Sequence, residues 1–267
     1  MRHGVFVPPF GELADPIATA RLAVLAEEVG WDGFFVWDHI AYRRVDDVAD
    51  PWVTLAAVAC ATRSMRLGPL VTPLPRRRPL KVAREVATLD RLSRGRVTLG
   101  VGIAGDRSRE LSATGEEQDA RVRGEMLDEA LALLEAAWAP GATVHEGHHY
   151  RVDHLVTGPQ PDQRPRPPIW VAVRQGNTAP QHRAARYDGV FPVDLGDADH
   201  LAELVAAVTA LRVPTAGPLD VVAMVGPDDD AAAYAAAGAT WLLTKFTPYD
   251  LTVADVRTRI ELGPPPT

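Results

Sequence analysis

The chain predicts a (β/α)8 barrel, an α/β fold, and three observations carry that expectation. Apolar strand-like runs alternate with helix-period segments from end to end, eight times over, with no connector of disordered composition. Residues 66–102, RLGPLVTPLPRRRPLKVAREVATLDRLSRGRVTLGVG, read as strand, proline-rich loop, amphipathic helix, glycine turn and strand, which is one βαβ unit. The 267 residues are enough for one such barrel. An open doubly wound sheet is the competing architecture, and no repeat of solenoid period is present.

The elements follow in order. Residues 3–7 form the first apolar strand, and the helix over 16–29 begins on Pro16, which suits a helix's first turn. The second strand spans 33–37 and the second helix 51–62. In the third unit Leu67, Leu70 and Val71 form an apolar run that stops at Thr72-Pro73. The helix after it places Val82, Val86, Leu89 and Leu92 on one buried stripe and closes at Gly95, a residue tolerant of positive φ. The fourth strand, 97–101, runs into Gly102. A polar excursion over 106–119 leads to a long helix, 121–138, with Leu127, Leu131 and Leu134 facing inward. A small hairpin over 143–153 and a proline-rich connector over 159–168 come next. Strand five is 168–173, a helix lies near 179–185, and strand six is 188–193. Helix 198–211, strand 219–225, short helix 231–237, strand 240–244 and helix 253–262 complete the chain, and 263–267 reads as a solvated end. The whole, 1–267, is expected to be one domain.

Composition narrows the function. The net charge of −7 argues against a nucleic-acid surface, and no apolar run is long enough to span a bilayer. Basic charge is almost all arginine, with Lys81 and Lys245 the only lysines, so a single arginine carries less functional weight than usual. Cys60 is the only cysteine, which excludes an intrachain disulfide, and it reads as a small buried thiol. The N-terminal residues lack the apolar core and cleavage site of a signal peptide, so a cytoplasmic protein is expected.

Several motifs can carry chemistry. Residues 100–105, GVGIAG, match the dinucleotide fingerprint in letters, but they follow a fourth strand and run into Asp106-Arg107-Ser108-Arg109 rather than a capped helix. Gly102 and Gly105 more readily let a flat or phosphorylated ligand approach the backbone. Trp37-Asp38-His39 ends strand two. His39 can exchange a proton near neutral pH or hydrogen-bond a polar ring atom, or it can be a packed structural histidine. Asp38 can cap the following turn or orient His39. His145, His148 and His149 with Glu146 invite a metal reading, but strand alternation spreads them over two faces, and no metal is expected. Arg76-Arg77-Arg78 can hold an anion or form a solvated loop. Residues 228–230 read as an acidic helix cap, unsuited to phosphate. Residues 174–180, RQGNTAP, offer free backbone N–H groups with Asn177 and Thr178, either an anion seat or an ordinary glycine turn and helix cap.

Taken together the sequence resembles the luciferase-like monooxygenase superfamily, the flavin- and deazaflavin-dependent (β/α)8 oxidoreductases. The resemblance spans the whole chain and is carried by AEEVGWDGFFVWDH (26–39), DPWVTLAAVA (50–59), LGPLVTPLPRRRP (67–79), LDRLSRGRVTLGVG (89–102), LDEALALLEAAW (127–138), the hairpin 147–150, PRPPIWVA (165–172), AARYDGVFP (184–192) and AGATWLL (237–243). It implies FMN or coenzyme F420 in the barrel mouth. The ring would be backed by a bulged end of strand three, often with a non-prolyl cis peptide, matching Leu70, Val71 and Thr72. Gly102 and Ile103 would contact the ribityl chain, and Arg174, Gly176, Asn177 and Thr178 would seat the phosphate. His39 would lie near the ring. The resemblance also implies a small organic substrate and a homodimer. Val173 stands where relatives often have glycine, and Gln175-Gly176 where a Trp-Pro pair is expected. Some relatives carry a glutamate acid just after strand four, for which the nearest position is Gly105 beside Asp106. The chain is also short for the family. A barrel that has lost its redox activity, and a nicotinamide dehydrogenase or other phosphate-binding barrel, are the alternative readings.

Overall fold

The computed structural model describes every residue except Gln175, Pro227, Asp228, Pro266 and Thr267. Its elements are β1 (Arg2–Val7), α1 (Pro16–Val29), β2 (Gly33–Val36), α2 (Pro51–Ala61), β3 (Arg66–Pro69), β4 (Thr72–Pro73), α3 (Pro79–Ser93), β5 (Leu99–Gly102) and α4 (Ala120–Trp138). They continue with β6 (Ala142–Glu146), β7 (Arg151–Val156), β8 (Ile169–Val173), α5 (Thr178–Ala184), β9 (Gly189–Pro192), α6 (Ala198–Leu211), β10 (Asp220–Val225), α7 (Ala231–Ala236), β11 (Trp241–Lys245) and α8 (Val253–Glu261). Helix starts follow local chemistry. Asp15, Asp50, Asp119 and Asp230 cap α1, α2, α4 and α7 through backbone N–H groups, and Thr252 with Asp255 forms a capping box on α8.

Parallel pairing runs β3-β2-β1-β11-β10-β9-β8-β5-β4. β3 and β4 are two pieces of one barrel strand, separated by a cis peptide between Leu70 and Val71. β3 pairs with β2 and β4 with β5, so the broken strand joins both ends of the sheet. A bridge between Leu67 and Val97, with the Thr98 N–H donating to the Leu67 carbonyl at 2.9 Å, adds to the closure. The result is a (β/α)8 barrel. Its lumen is packed rather than hollow, with Phe6, Phe35, Leu70, Trp170, Phe191, Val222, Trp241 and Leu243 in one cluster. A second, larger cluster lies between strands and helices.

Two buried polar knots hold connections that regular pairing leaves open. The Arg96 guanidinium donates to the carbonyls of Ala59, Thr62, Met65 and Ser93, satisfying the C-terminal end of α2. Asp90, fully buried, accepts from the Asp162 and Gln163 N–H groups at 2.8 and 2.9 Å and from Gln163 Nε2 at 2.7 Å. It thereby pins the proline-rich connector to α3.

The sequence reading needs local correction. Leu92 is 45% exposed, because a helical step of 100° puts Ser93 rather than Leu92 on the stripe of Val82, Val86 and Leu89. Arg94 already turns into the left-handed region at φ 59°, ahead of Gly95 at 79°. The hairpin runs on to Val156, beyond 153. Cys60 is exposed, not buried.

Gly68 shows how tight the closure is. A Cβ there would lie 1.8 Å from the Thr98 carbonyl oxygen, a backbone atom that cannot move without opening the β3–β5 junction. Gly68→Ala is therefore expected to cost more than about 3 kcal/mol or to prevent folding, as read by urea denaturation. A loss below about 1 kcal/mol would show that the junction can relax.

Candidate active site at the barrel mouth

The carboxyl ends of the strands open into a cavity of about 560 Å³, within the range of roughly 300–1,000 Å³ common for small-molecule sites. Its floor is Leu70, Val71 and Gly102, its walls include Trp37, His39, Ala172, Phe191 and Met224, and its rim carries Arg43, Arg107, Arg174 and Asn177. Gly102 is needed for flatness: a Cβ there would come within 3.0 Å of Val71 Cγ2 and 3.3 Å of Ala172 Cβ.

Beneath His39 lies a buried ionic cluster. Arg76 Nη1 donates to Glu110 Oε1 at 2.5 Å and Arg76 Nη2 to Asp38 Oδ1 at 3.2 Å, while Arg77 Nη2 reaches the same Asp38 oxygen at 2.7 Å. The side chains of Asp38, Glu110 and Arg76 are 0, 4 and 5% exposed. Glu110 Oε2 meets His39 Nδ1 at 2.7 Å, and its Oε1 accepts from the Ile40 N–H at 2.7 Å. With Nδ1 donating to the carboxylate, Nε2 is the nitrogen left for a ligand.

The two carboxylates are pulled opposite ways. Burial pushes Glu110 up, but the hydrogen bond and charge of His39, the Ile40 N–H and Arg76 outweigh it and hold the group down to about 2. Burial dominates at Asp38 and raises its pKa, with Arg77 and Arg76 offsetting only part. Asp38 Oδ2 has no partner among the described residues.

The structure thus brings Leu70, Val71, Gly102, Ile103, Asp38, His39, Arg174 and Asn177 to one cavity. Thr72 is fully buried in β4, Thr178 begins α5, and Gly176 lines a second cavity of about 230 Å³ with Asp194, His200 and Glu203. Arg174 pairs with Asp194 at 2.6 Å. Gln175 and Asp228, parts of the expected anion seat and acidic cap, lie outside the described residues, as do the last two residues of the tail. Asp38 does not orient His39; Glu110 does, from 71 positions along the chain. Arg76 and Arg77 are neither a solvated loop nor an open anion site, because the two carboxylates take their charge.

Glu110 was not visible in the sequence. It sits in the polar excursion, where no periodic pattern marks a residue as inward-facing, and Asp106, the nearest acid to strand four, instead accepts from Leu111 and Ser112 N–H groups. The GVGIAG stretch is followed by no helix until Ala120, so its glycines do not open a dinucleotide-binding helix. In the hairpin, Glu129 accepts from the His149 and Tyr150 N–H groups and meets His145 Nε2 at 3.1 Å. Among the described residues no three metal-ligating side chains converge, and no helix is long and apolar enough to cross a membrane.

This chain belongs to the luciferase-like monooxygenase family, whose profile matches residues 1–259. It is 36% identical over 230 residues to an F420-dependent hydroxymycolic acid dehydrogenase of Mycobacterium tuberculosis, covering 82% of this chain and 62% of that protein. It is 31% identical over 181 residues to the oxygenase component of a flavin-dependent trigonelline monooxygenase of Acinetobacter baylyi, covering 66% and 49%. Among solved structures, a Streptomyces bottropensis monooxygenase superposes with a TM-score of 0.70 at 26% identity, over 98% of this chain and 79% of that one. The chain therefore spans about half to six tenths of the length of these curated relatives.

The Glu110 cluster makes an acid-stability prediction. Its folded pKa, about 2, lies below the ordinary 4.5, so its interactions stabilise the fold fully above pH 4.5 and fade as pH falls toward 2. The shift corresponds to roughly 3 kcal/mol. Asp38, with its pKa raised, acts in the opposite sense and weakens the fold as pH rises through its folded value. Glu110→Gln should cost about 2–3 kcal/mol at pH 7, because Arg76 loses a buried partner. It should also flatten the decline in urea stability between pH 4.5 and 2.5. An unchanged acid slope in the variant would refute this account.

Proposed function

We propose that the protein is an oxidoreductase that holds FMN or coenzyme F420 at the barrel mouth and acts there on a small organic substrate. The observation that carries this is the flat apolar floor of Leu70, Val71 and Gly102 facing His39, whose ring Glu110 fixes. The floor fits a planar ring system. Gly102 keeps it level, since a side chain there would rise between Val71 and Ala172. Ile103 borders the same floor, and at the rim Asn177 is a polar group placed for an anionic tail, with Arg174 available to it once released from Asp194. Gly176 and Thr178 extend this seat only if the loop draws in, since they do not line the cavity as it stands.

A bound flavin or deazaflavin supplies hydride or electron transfer, and a reduced flavin also transfers electrons to dioxygen. The chain's own residues supply the rest. His39 Nε2 is the group that holds or moves a proton, and Glu110, bonded to Nδ1, sets its tautomer. Asp38 acts one step behind, anchoring Arg76 and Arg77 so that Arg76 can neutralise Glu110. Leu70, Val71, Phe191 and Met224 exclude water. The same reading takes residues 1–267 as one domain of a cytoplasmic protein, because the eight strands close on one another and a single cysteine needs no oxidising compartment.

It also takes the protein as a homodimer. α2 is apolar nearly all round, and its outward stripe of Val53, Ala57 and Cys60 repeats at i, i+4 and i+7, with Val53 62% exposed. A helix of that composition suits burial against a second copy. Val53→Glu should convert a dimer to monomer in sedimentation velocity; a monomeric native protein would end the dimer reading.

Titration with FMN and, separately, F420, followed by absorbance and fluorescence, tests the central claim. One of them should bind in the micromolar range or tighter, and His39→Ala should then lower turnover by about 100-fold, within the span of general acid–base effects, with cofactor affinity within twofold. A folded sample that binds neither cofactor would overturn the proposal in favour of a barrel without redox activity.

A further inference from the structure

The mouth has two unlike halves. The floor just described is small and aliphatic. Beside it lies an aromatic wall, where Tyr42 is the hub: its ring centroid lies 5.0 Å from His39, 5.1 Å from Phe10, 5.7 Å from Trp37 and 6.0 Å from Tyr249. Phe10 is buried and packs edge-on against Trp37 and at a 36° tilt against Tyr42, while Trp37, Tyr42 and Tyr249 themselves line the cavity. Packed slots of this kind take a flat ring by stacking or edge contact.

Charge at this half is one-sided. Arg43 and Arg107 both line the cavity, and Arg43 Nε donates to the Arg107 carbonyl at 2.9 Å, which ties the two loops together. Both guanidiniums act on the Tyr42 hydroxyl, lowering a pKa that burial and Tyr249 raise on balance. Among the described residues neither meets a carboxylate within ion-pair distance, whereas the two carboxylates lining the cavity, Asp38 and Glu110, are committed to Arg76, Arg77 and His39. Among the described residues lining the cavity a cationic ligand would find no unengaged carboxylate. The Trp37 indole N–H is a second signal: it is buried and has no acceptor among the described residues, and buried donors are seldom left so.

We propose that this half is the substrate subsite and that it takes a planar aromatic acid. The ring lies against Trp37 and Tyr42, the anionic group meets Arg43 and Arg107, and the Trp37 N–H serves an oxygen on the ring. The assignment of this half to substrate rests on the proposed function, which gives the other half to the cofactor. The affinity for an aromatic acid does not depend on that division.

The test is isothermal titration of the full-length protein with 2-naphthoate, its neutral counterpart 2-naphthamide and the cation N-methylquinolinium, with and without saturating FMN or F420. Naphthoate should bind about tenfold or more tighter than the amide, in keeping with charge-assisted bonds to two guanidiniums, and the cation should bind weakest. That preference should shrink as salt rises. The double variant Arg43→Gln, Arg107→Gln should bring naphthoate to within about twofold of the amide while leaving the amide's affinity unchanged; both side chains are exposed, and circular dichroism checks the fold. Equal binding of acid and amide, a preference that survives in the double variant, or no binding of any probe would each overturn the proposal. Displacement of naphthoate by FMN or F420 would overturn its location. A protein that binds neither cofactor but still prefers the acid through Arg43 and Arg107 would refute the flavin reading and leave the aromatic-acid subsite standing.

Discussion

Two buried carboxylates at the end of a barrel need cations beside them, and the mouth of this protein is organised around meeting that need. Arg76 bridges Asp38 and Glu110, Arg77 shares Asp38, and the backbone of Ile40 and the ring of His39 complete Glu110. The cluster joins three loops, those after β2, after β4 and after β5. Removing one member leaves an unpaired buried charge, which is costlier than the pair was favourable. Its value lies less in net stability than in fixing where His39 stands relative to the cavity floor.

The barrel beneath serves the same end by different means. β3 and β4 divide one strand so that Leu70 and Val71 step inward over Gly100 and Gly102, and the lumen below is filled by large aromatics. Packed in this way, the floor has little freedom to rearrange. Specificity is then left to the loops, which matches the division between an aliphatic floor and an aromatic, arginine-rimmed wall.

How much of this the sequence disclosed depends on range. Strand and helix periods are local signals, so the eight units, the hairpin and most boundaries could be read within a residue or two. Gly102 and His39 were also accessible, because strand ends and glycines mark the open end of an α/β sheet, whereas Leu70 and Val71 came only from the family resemblance. Glu110 was not, since its partners are 34 and 71 residues away and its loop has no period. The arginines misled for a related reason: an Arg triplet before a proline looks solvated until the carboxylates that claim it are placed in space. For Asp38 the sequence left two local roles open, capping the following turn or orienting His39, and the fold pairs it instead with the distant Arg76 and Arg77.

The knot at Asp90 has a consequence for how such a chain can change over time. It fixes Asp162 and Gln163 to α3, while Thr157 Oγ1 and Gln160 Nε2 bind the carbonyls of Ala137 and Ala139 at the end of α4. The chain that leaves the hairpin of β6 and β7 is thus fastened to α3 and α4 before it enters β8. The register of β5 against β8 is therefore held by bonds that lie outside the hairpin, while the hairpin's own tip is held to α4 separately, through Glu129. A change confined to the hairpin's tip would thus meet the Glu129 bonds before it reached the barrel.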